Sequence, residues 1–449
     1  MEPTAAPQTE PMNRLPIDIP RRPDAFLVGG CVRDLLLGRA PADYDVAVGG
    51  SPAEYAAAVA DGMGARVVEI GKPGFRVWRV AAGEQVVDVS PFQGPDIEAD
   101  LRRRDFTINA LAIATAGGEV VDPVGGRTDL SRRLIRRVSD SAFQDDPVRL
   151  VRAFRFAAQL GYSIDPASLD AVRNQATLIA GSAGERIRAE LYKLLGAEHH
   201  VWALSAMAAT GLLTAIFPRA TGAEAPMRHA VDALRQLEAL LGRSRPAPDF
   251  TAERRVLLRL ALVLQGLGPH ARSEWDAVFG RLRAPRRDCD HLERLLTLRD
   301  LPMRLFETLP APSSRDEVRF FLEAGDRAPD VLLEAAAWAL ADPNLLRERA
   351  VAFSAFVGQA LQRYTRDYLP IKAAPAPLTG NDLMREFGLR PSPAIKVLLR
   401  RVEEERLVRR SFTRRDALEF VRQVLESQGG APPDRWGSAA NDRQGKLIS

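Results

Sequence analysis

The period of the apolar positions changes once along the chain, near residue 138. Before it, the short runs "RVVEI" (66–70), "FRVWRVA" (75–81), "EQVVDVS" (84–90) and "TINALAIAT" (107–115) are β-branched and largely alternating, and each predicts a strand. Between them, Cys31, Val32, Leu35 and Leu36 fall at helical spacing with Gly38 as a natural stop. "SPAEYAAAVADGM" predicts a helix with Ser51 as N-cap and Pro52 at its first position. After residue 138 the helical period takes over. "DPVRLVRAFRFAAQLG" (146–161) and "ERIRAELYKLLG" (185–196) are amphipathic segments ended by Gly161 and Gly196. The pattern predicts an α+β fold: a mixed head over 23–137, then an all-α neck (138–200), body (201–370) and tail (377–427). "AAPAPLTG" (373–380) is read as a linker, residues 1–22 as a disordered lead-in and 428–449 as a disordered end. No internal repeat is evident.

Seventeen residues of the head, "GGCVRDLLLGRAPADYD" (29–45), concentrate the candidate chemistry. Gly29 and Gly30 let a ligand approach the start of a helix, whose free amides attract phosphate. Arg33, in the first turn, opposes the helix dipole unless an anion lies between them. Asp43 and Asp45 stand two apart on a strand, so they share a face, and like charges so placed call for a cation, for which hard Mg²⁺ is the natural choice. Asp88, in "VVDVS", is the candidate third carboxylate of a metal-assisted site. Phosphate at the helix and Mg²⁺ on the aspartates together describe a nucleoside triphosphate site. Each part has a plainer reading: a solvated Arg33, a solvated aspartate pair, a strand-end Asp88.

With these residues in place, the chain resembles the class II tRNA nucleotidyltransferase and bacterial poly(A) polymerase family. "LVGGCVRDLLLG" with "DYD" resembles its catalytic motif, "RRRDFTINALAI" (102–113) its ribose-selecting motif and "DPVGGRTDL" (122–130) its hinge. "DDPVRLVRAFRFA" (145–157) resembles its amino-acid template for the incoming base, and "ERIRAEL" (185–191) its last motif, all in the family's order. The resemblance implies a palm-like nucleotidyltransferase head and an enzyme adding C, A or both to tRNA 3′ ends from CTP and ATP without a nucleic-acid template. It implies that Arg104 and Asp105 meet the nucleotide's phosphate and ribose. Asp146 and Arg149 would read the base, and Arg152 and Arg155 would support base or phosphates. Spacing by three places Asp146, Arg149, Arg152 and Arg155 toward one helix face, with Leu150, Phe154 and Ala157 behind.

The sequence departs from that family at several points. Asp145 stands where glutamate is usual. "MRHAVDALRQL" carries His229 but no His-Asp pair, so no HD phosphohydrolase is expected in the body. The segment Asp88–Asp100 is short where CCA-completing members carry a longer Arg- and Tyr-bearing loop, which favours CC addition and a separate A-adding enzyme acting downstream. A poly(A) polymerase, an inactive RNA-binding module and a nucleotide sensor are the competing readings.

Charge and cysteine usage refine the picture. The pI is about 9.2 but the net charge is only +4, so any nucleic-acid footprint must be local. Between Leu130 and Leu160 stand seven arginines against three acids; between Pro391 and Arg415, eight basic residues against three acids. Both clusters fit RNA-backbone contact, and the second equally a solvated helix. Two distant cysteines, Cys31 and Cys289, argue against a disulfide framework and for a cytoplasmic setting. No apolar run of membrane-spanning length and no signal-peptide core are read.

Overall fold

The strands predicted for the head assemble into a seven-stranded mixed sheet in the computed structural model, which describes residues 16–72, 75–217, 224–243, 251–268, 272–308, 314–409 and 411–427. The strands are β1 (Ala25–Val28), β2 (Tyr44–Val48), β3 (Val67–Lys72), β4 (Phe75–Ala82), β5 (Gln85–Pro91), β6 (Ala112–Ala114) and β7 (Val120–Val121). Their order is β3-β4-β5-β2-β1-β6-β7. β2 and β5 run parallel, with Asp45 beside Asp88, while the other neighbours are antiparallel. Side chains of partnered residues on adjacent strands share a face, so this register sets two of the predicted acids side by side.

Helix α1 (Gly30–Leu36) follows β1, and α2 (Pro52–Met63) follows β2. In α2 the Ser51 hydroxyl accepts from the Glu54 amide at 3.3 Å and Pro52 occupies the first position. One strand expectation fails in part. Of "TINALAIAT", Thr107–Asn109 form a 3₁₀ turn and the strand begins at Ala112. Gly126, at the start of α4 (Gly126–Ser131), lets the turn pack this closely, since a Cβ there would lie 2.2 Å from the Thr107 carbonyl oxygen. Phe106 and Ile108 are fully buried on the core side of this turn.

The neck carries α5 (Ala142–Asp145), α6 (Arg149–Leu160), α7 (Pro166–Gln175) and α8 (Gly184–Gly196). Gly161 adopts the left-handed conformation that closes α6. Leu150, Phe154 and Ala157 are fully buried, as their spacing predicts. Head and neck belong to one compact unit, Met1–Arg219 with Gly280–Arg283, so the boundary drawn at residue 138 separates two patterns rather than two bodies. The lead-in expected over 1–22 is corrected at its end: Ile17 and Ile19 are buried, and the Pro20 carbonyl accepts from the Tyr55 hydroxyl at 2.8 Å. Residues 1–15 and the end expected as disordered, 428–449, lie outside the described residues.

The second unit, Ala220–Phe279 with Ala284–Ser449, is helical throughout its described residues and unites the expected body and tail. Its tail helices, Gly380–Phe387, Pro393–Arg409 and Arg414–Ser427, enclose a core of Leu378, Leu383, Leu398, Val402, Ala417 and Val421. The tail's basic cluster is in part spent internally, since Arg406 pairs with Glu403, Arg409 with Glu405 and Arg414 with Asp382. His229 stacks on Trp338 at 4.0 Å and its Nε2 lies 2.8 Å from the Trp338 carbonyl oxygen, a packing role. No described helix is long and apolar enough to cross a membrane.

Glu334 sits wholly buried in this unit and neither carboxyl oxygen has a hydrogen-bond partner. Burial pushes its carboxyl up to about 8; Arg299 opposes this, and Asp330 and Asp300 add to it. Above the ordinary glutamate pKa, the folded chain therefore keeps a proton that the unfolded chain has released, and stability falls as pH rises through that window. Glu334→Gln should be more stable than wild type at pH 8–9, on the order of 3 kcal/mol by urea denaturation, with the difference shrinking toward zero below pH 5.

Candidate active site

A cleft of about 480 Å³ opens where the C-terminal end of β1, the 3₁₀ turn and α6 meet. It is lined by Gly29, Gly30, Arg33, Asp45, Arg104, Asp105, Asn109, Asp146, Arg149, Arg152 and Phe156. Nine of the predicted residues thus converge. Asp43, Asp88 and Arg155 do not line it.

The end expected to take phosphate is built at the start of α1. Gly29 caps that helix at φ +76°, and a Cβ there would meet the Arg104 guanidinium at 2.8 Å. Glycine satisfies both the backbone and the close approach. Arg33 donates to Asp34 at 2.8 Å and to the Asn109 side-chain oxygen at 2.8 Å. Arg104 is tethered through Asp100, which also accepts from the Gln93 amide at 2.9 Å. These bonds hold two guanidiniums at one end of the cleft in fixed positions.

The carboxylates stand beside them. Asp45 is open to solvent, yet the crowding of protein around it raises its carboxyl above the ordinary range; Arg104 opposes this, and Asp88 and Asp43 reinforce it. Asp88 is held by a bidentate pair with Arg79, at 2.8 and 2.7 Å, across β4 and β5. Among the described residues no group of three or more His, Cys, Asp or Glu gathers as a metal site. Asp43 and Asp45 could together offer oxygen donors. That set suits Mg²⁺, which commonly takes one or two carboxylates and draws its other ligands from water and phosphate.

The end expected to read the base departs from the expected geometry. Asp146 precedes α6 in an extended conformation, so it is not on the helix with the arginines. Successive residues turn by about 100°, so an i+3 series drifts: Arg155 ends roughly 120° from Arg149, whereas Phe156 returns to within about 20° of it. Phe156 accordingly lines the cleft, and Arg155 points into the neck, where it pairs with Glu190 and donates to Gln159 at 2.7 Å. Burial lowers the Arg155 guanidinium to about 10 despite Glu190. Arg149 donates to the carbonyls of Ala142 and Arg103, at 3.2 and 2.8 Å.

Asp105 borders the cleft but is largely buried, with its oxygens engaged by protein donors. It accepts from the Phe106 amide at 2.8 Å, from Asn109 at 3.1 Å and from Arg152 at 2.8 and 2.5 Å. Burial alone would raise its carboxyl, but Arg152 and these hydrogen bonds outweigh it and hold the pKa below the usual range. Arg152 also reaches Glu190 at 3.3 Å. Five of the seven arginines between Leu130 and Leu160 are engaged within this unit: Arg136 with Asp129, Arg137 with Asp140, Arg149 with backbone carbonyls, Arg152 with Asp105 and Arg155 with Glu190. The sequence reading missed Asn109, Phe156, Arg186 and Glu190. Asn109 lies inside a quoted motif but on a stretch taken for a strand, and Phe156 was hidden by the run of arginines at i+3.

Three comparisons bear on this geometry. The family described as "Poly A polymerase head domain" matches residues 25–136, and "Probable RNA and SrmB- binding site of polymerase A" matches 161–223. A CC-adding tRNA nucleotidyltransferase of Geobacter sulfurreducens is 34% identical, over 82% of this chain and 84% of its own length. An A-adding tRNA nucleotidyltransferase of Deinococcus radiodurans is 33% identical, over 92% and 98%. The structure of a Thermotoga maritima CCA-adding enzyme in complex with tRNA shares the fold, with a TM-score of 0.67 at 22% identity over 89% of this chain and 91% of that one.

Removing the charge of Asp105 takes from the half-buried Arg152 its shorter ion pair and leaves it only Glu190 at 3.3 Å. Asp105→Asn should cost about 2–4 kcal/mol in chemical denaturation at pH 7. Wild type should lose this advantage on acidification below the ordinary aspartate pKa, whereas the variant should not. A variant as stable as wild type at pH 7 contradicts the assignment.

Proposed function

This chain belongs to the tRNA nucleotidyltransferase family that carries the poly(A) polymerase head domain, and on that premise we propose that it adds cytidylate to the 3′ end of tRNA. The observation that carries the reading is the single cleft holding a glycine-capped helix start with Arg33 and Arg104 at one end and Asp146 with Arg149 at the other. One end suits a triphosphate and the other the Watson–Crick edge of a base.

In the reaction the 3′-hydroxyl of the RNA attacks the α-phosphate of the bound nucleotide, an O–P bond forms, the bond to the β-phosphate oxygen breaks and pyrophosphate leaves. Arg33, Arg104 and the α1 amides neutralise and orient the triphosphate. Asp43 and Asp45 would hold Mg²⁺, which supplies charge neutralisation at the phosphates and lowers the cost of ionising the attacking hydroxyl. Asp88, occupied by Arg79, acts in this reading by adding negative charge beside Asp45 rather than by direct ligation. Asp146 accepts from an exocyclic amine such as cytosine N4, and Arg149 donates to the neighbouring acceptors. Arg152 and Arg155, drawn inward, brace the base-reading helix.

Restriction to C rests on the connection after Asp88. β5 runs to Pro91 and α3 (Ile97–Arg102) begins after five residues, Phe92–Asp96. That connection is clamped by the Gln93–Asp100 hydrogen bond and by the Asp96 side chain capping the Ala99 amide at 2.8 Å. A segment this short and tied has little room to reshape the base pocket for A. A separate A-adding enzyme would then complete the end. The two free cysteines accord with a cytoplasmic tRNA substrate.

Incubation with CTP, ATP or both, and Mg²⁺, should add two C residues to tRNA lacking CCA, one to tRNA ending in C and none to tRNA ending in CC, with a stop at CC in each case. AMP added efficiently after CC overturns the restriction but keeps the family activity. AMP tailing of generic RNA in preference to tRNA points to a poly(A) polymerase. Asp43→Ala and Asp45→Ala should each lower the rate by about 10²-fold or more while CTP binding measured without metal changes little.

A further inference from the structure

Asp146 does not face the cleft alone. Arg186, in the first turn of α8, donates from one terminal nitrogen to Oδ1 at 3.0 Å and from the other to Oδ2 at 2.7 Å. Asp146 lines the cleft and Arg186 does not, so the guanidinium grips the carboxylate from outside the base-reading space. Oδ1 also accepts from the Val148 amide at 3.3 Å. A carboxylate offers about four lone-pair positions, two on each oxygen. Val148 and Arg186 together fill Oδ1. Arg186 fills half of Oδ2 and leaves one acceptor position.

We propose that Arg186 is a specificity-determining positioning residue: by gripping both oxygens of Asp146 it leaves a single acceptor, on Oδ2, for one N–H of an exocyclic amine. The inference rests on the reading of Asp146 as the acid that meets the base. Cytosine presents that N–H at N4. Uracil presents a carbonyl oxygen there, which would set two acceptors against each other with no donor between them. A carboxylate free to rotate could turn away and tolerate uracil; one locked by a planar two-pronged donor cannot. The Arg186 side chain is more than half exposed, so its hold comes from bidentate geometry rather than burial. Lysine, a point charge on a flexible stem, cannot reproduce it.

The test compares kcat/KM for CTP and UTP on tRNA lacking CCA, for wild type, R186A, R186K, D146A and the double variant R186A/D146A. Thermal melting verifies folding, and R186K keeps the positive charge should R186A fold poorly. The expected result is a fall of about tenfold or more in the CTP-over-UTP preference of R186A and R186K, mostly through a higher KM for CTP, with kcat near wild type. D146A should lose at least as much preference, and the double variant no more than D146A, because Arg186 acts through Asp146. A wild-type CTP-to-UTP ratio in R186A and R186K, with the ratio lost in D146A, overturns the inference and leaves Arg186 a structural tie between α8 and the 145–148 turn. A wild-type ratio in D146A overturns it together with the assignment of Asp146.

Discussion

One buried carboxylate, Asp105, ties the catalytic head to the neck. It lies just before the 3₁₀ turn of residues 107–109 and gathers donors from Phe106, Asn109 and Arg152. Asn109 passes the connection to Arg33 on α1, and Arg152 passes it to Glu190 on α8. Helix α1 and the neck helices α6 and α8 therefore share one hydrogen-bonded chain. Each bond is modest by itself, but in a water-poor interior a fully partnered network fixes its members more firmly than separate pairs would.

That network explains why the predicted site residues divide into two kinds. Arg33, Arg104, Arg149 and Asp146 keep part of their surface toward the cleft while a second partner restrains each one. Asp105, buried although it borders the cleft, and Arg155, which does not line it, spend their hydrogen bonds on neighbouring side chains. Preorganisation of this type matters for a reaction that proceeds by positioning and charge neutralisation, since the cost of orienting the guanidiniums is met in folding rather than at the moment of transfer.

Most of the head was legible in the sequence because local signals and burial agree there. The Ser51–Pro52 helix start, Gly38, Gly161 and the alternating strands need no distant partner to be read. The 3₁₀ turn at 107–109 was not legible. It packs against Gly126, seventeen residues downstream of Asn109, and "TINALAIAT" by itself carries a strand's composition. The inward turn of Arg155 was within reach, because the angular drift of an i+3 series follows from helix geometry. The Arg186 and Glu190 contacts join residues about forty positions apart, which spacing within one helix cannot reveal. The division into two units also escaped the pattern, since residues 280–283 belong with the first unit although the surrounding sequence is uniformly helical.

Phe156 carries three arginines around one ring. The guanidinium carbons of Arg33, Arg152 and Arg155 lie 5.5, 5.2 and 3.7 Å from its centroid. The negative face of an aromatic ring attracts such cations, yet it cannot cancel their mutual repulsion. Asp105 and Glu190 offset part of it from behind. Arg33 is offset likewise by Asp34, so the three cations around the ring are locally balanced, and Phe156 is the common surface that sets their spacing.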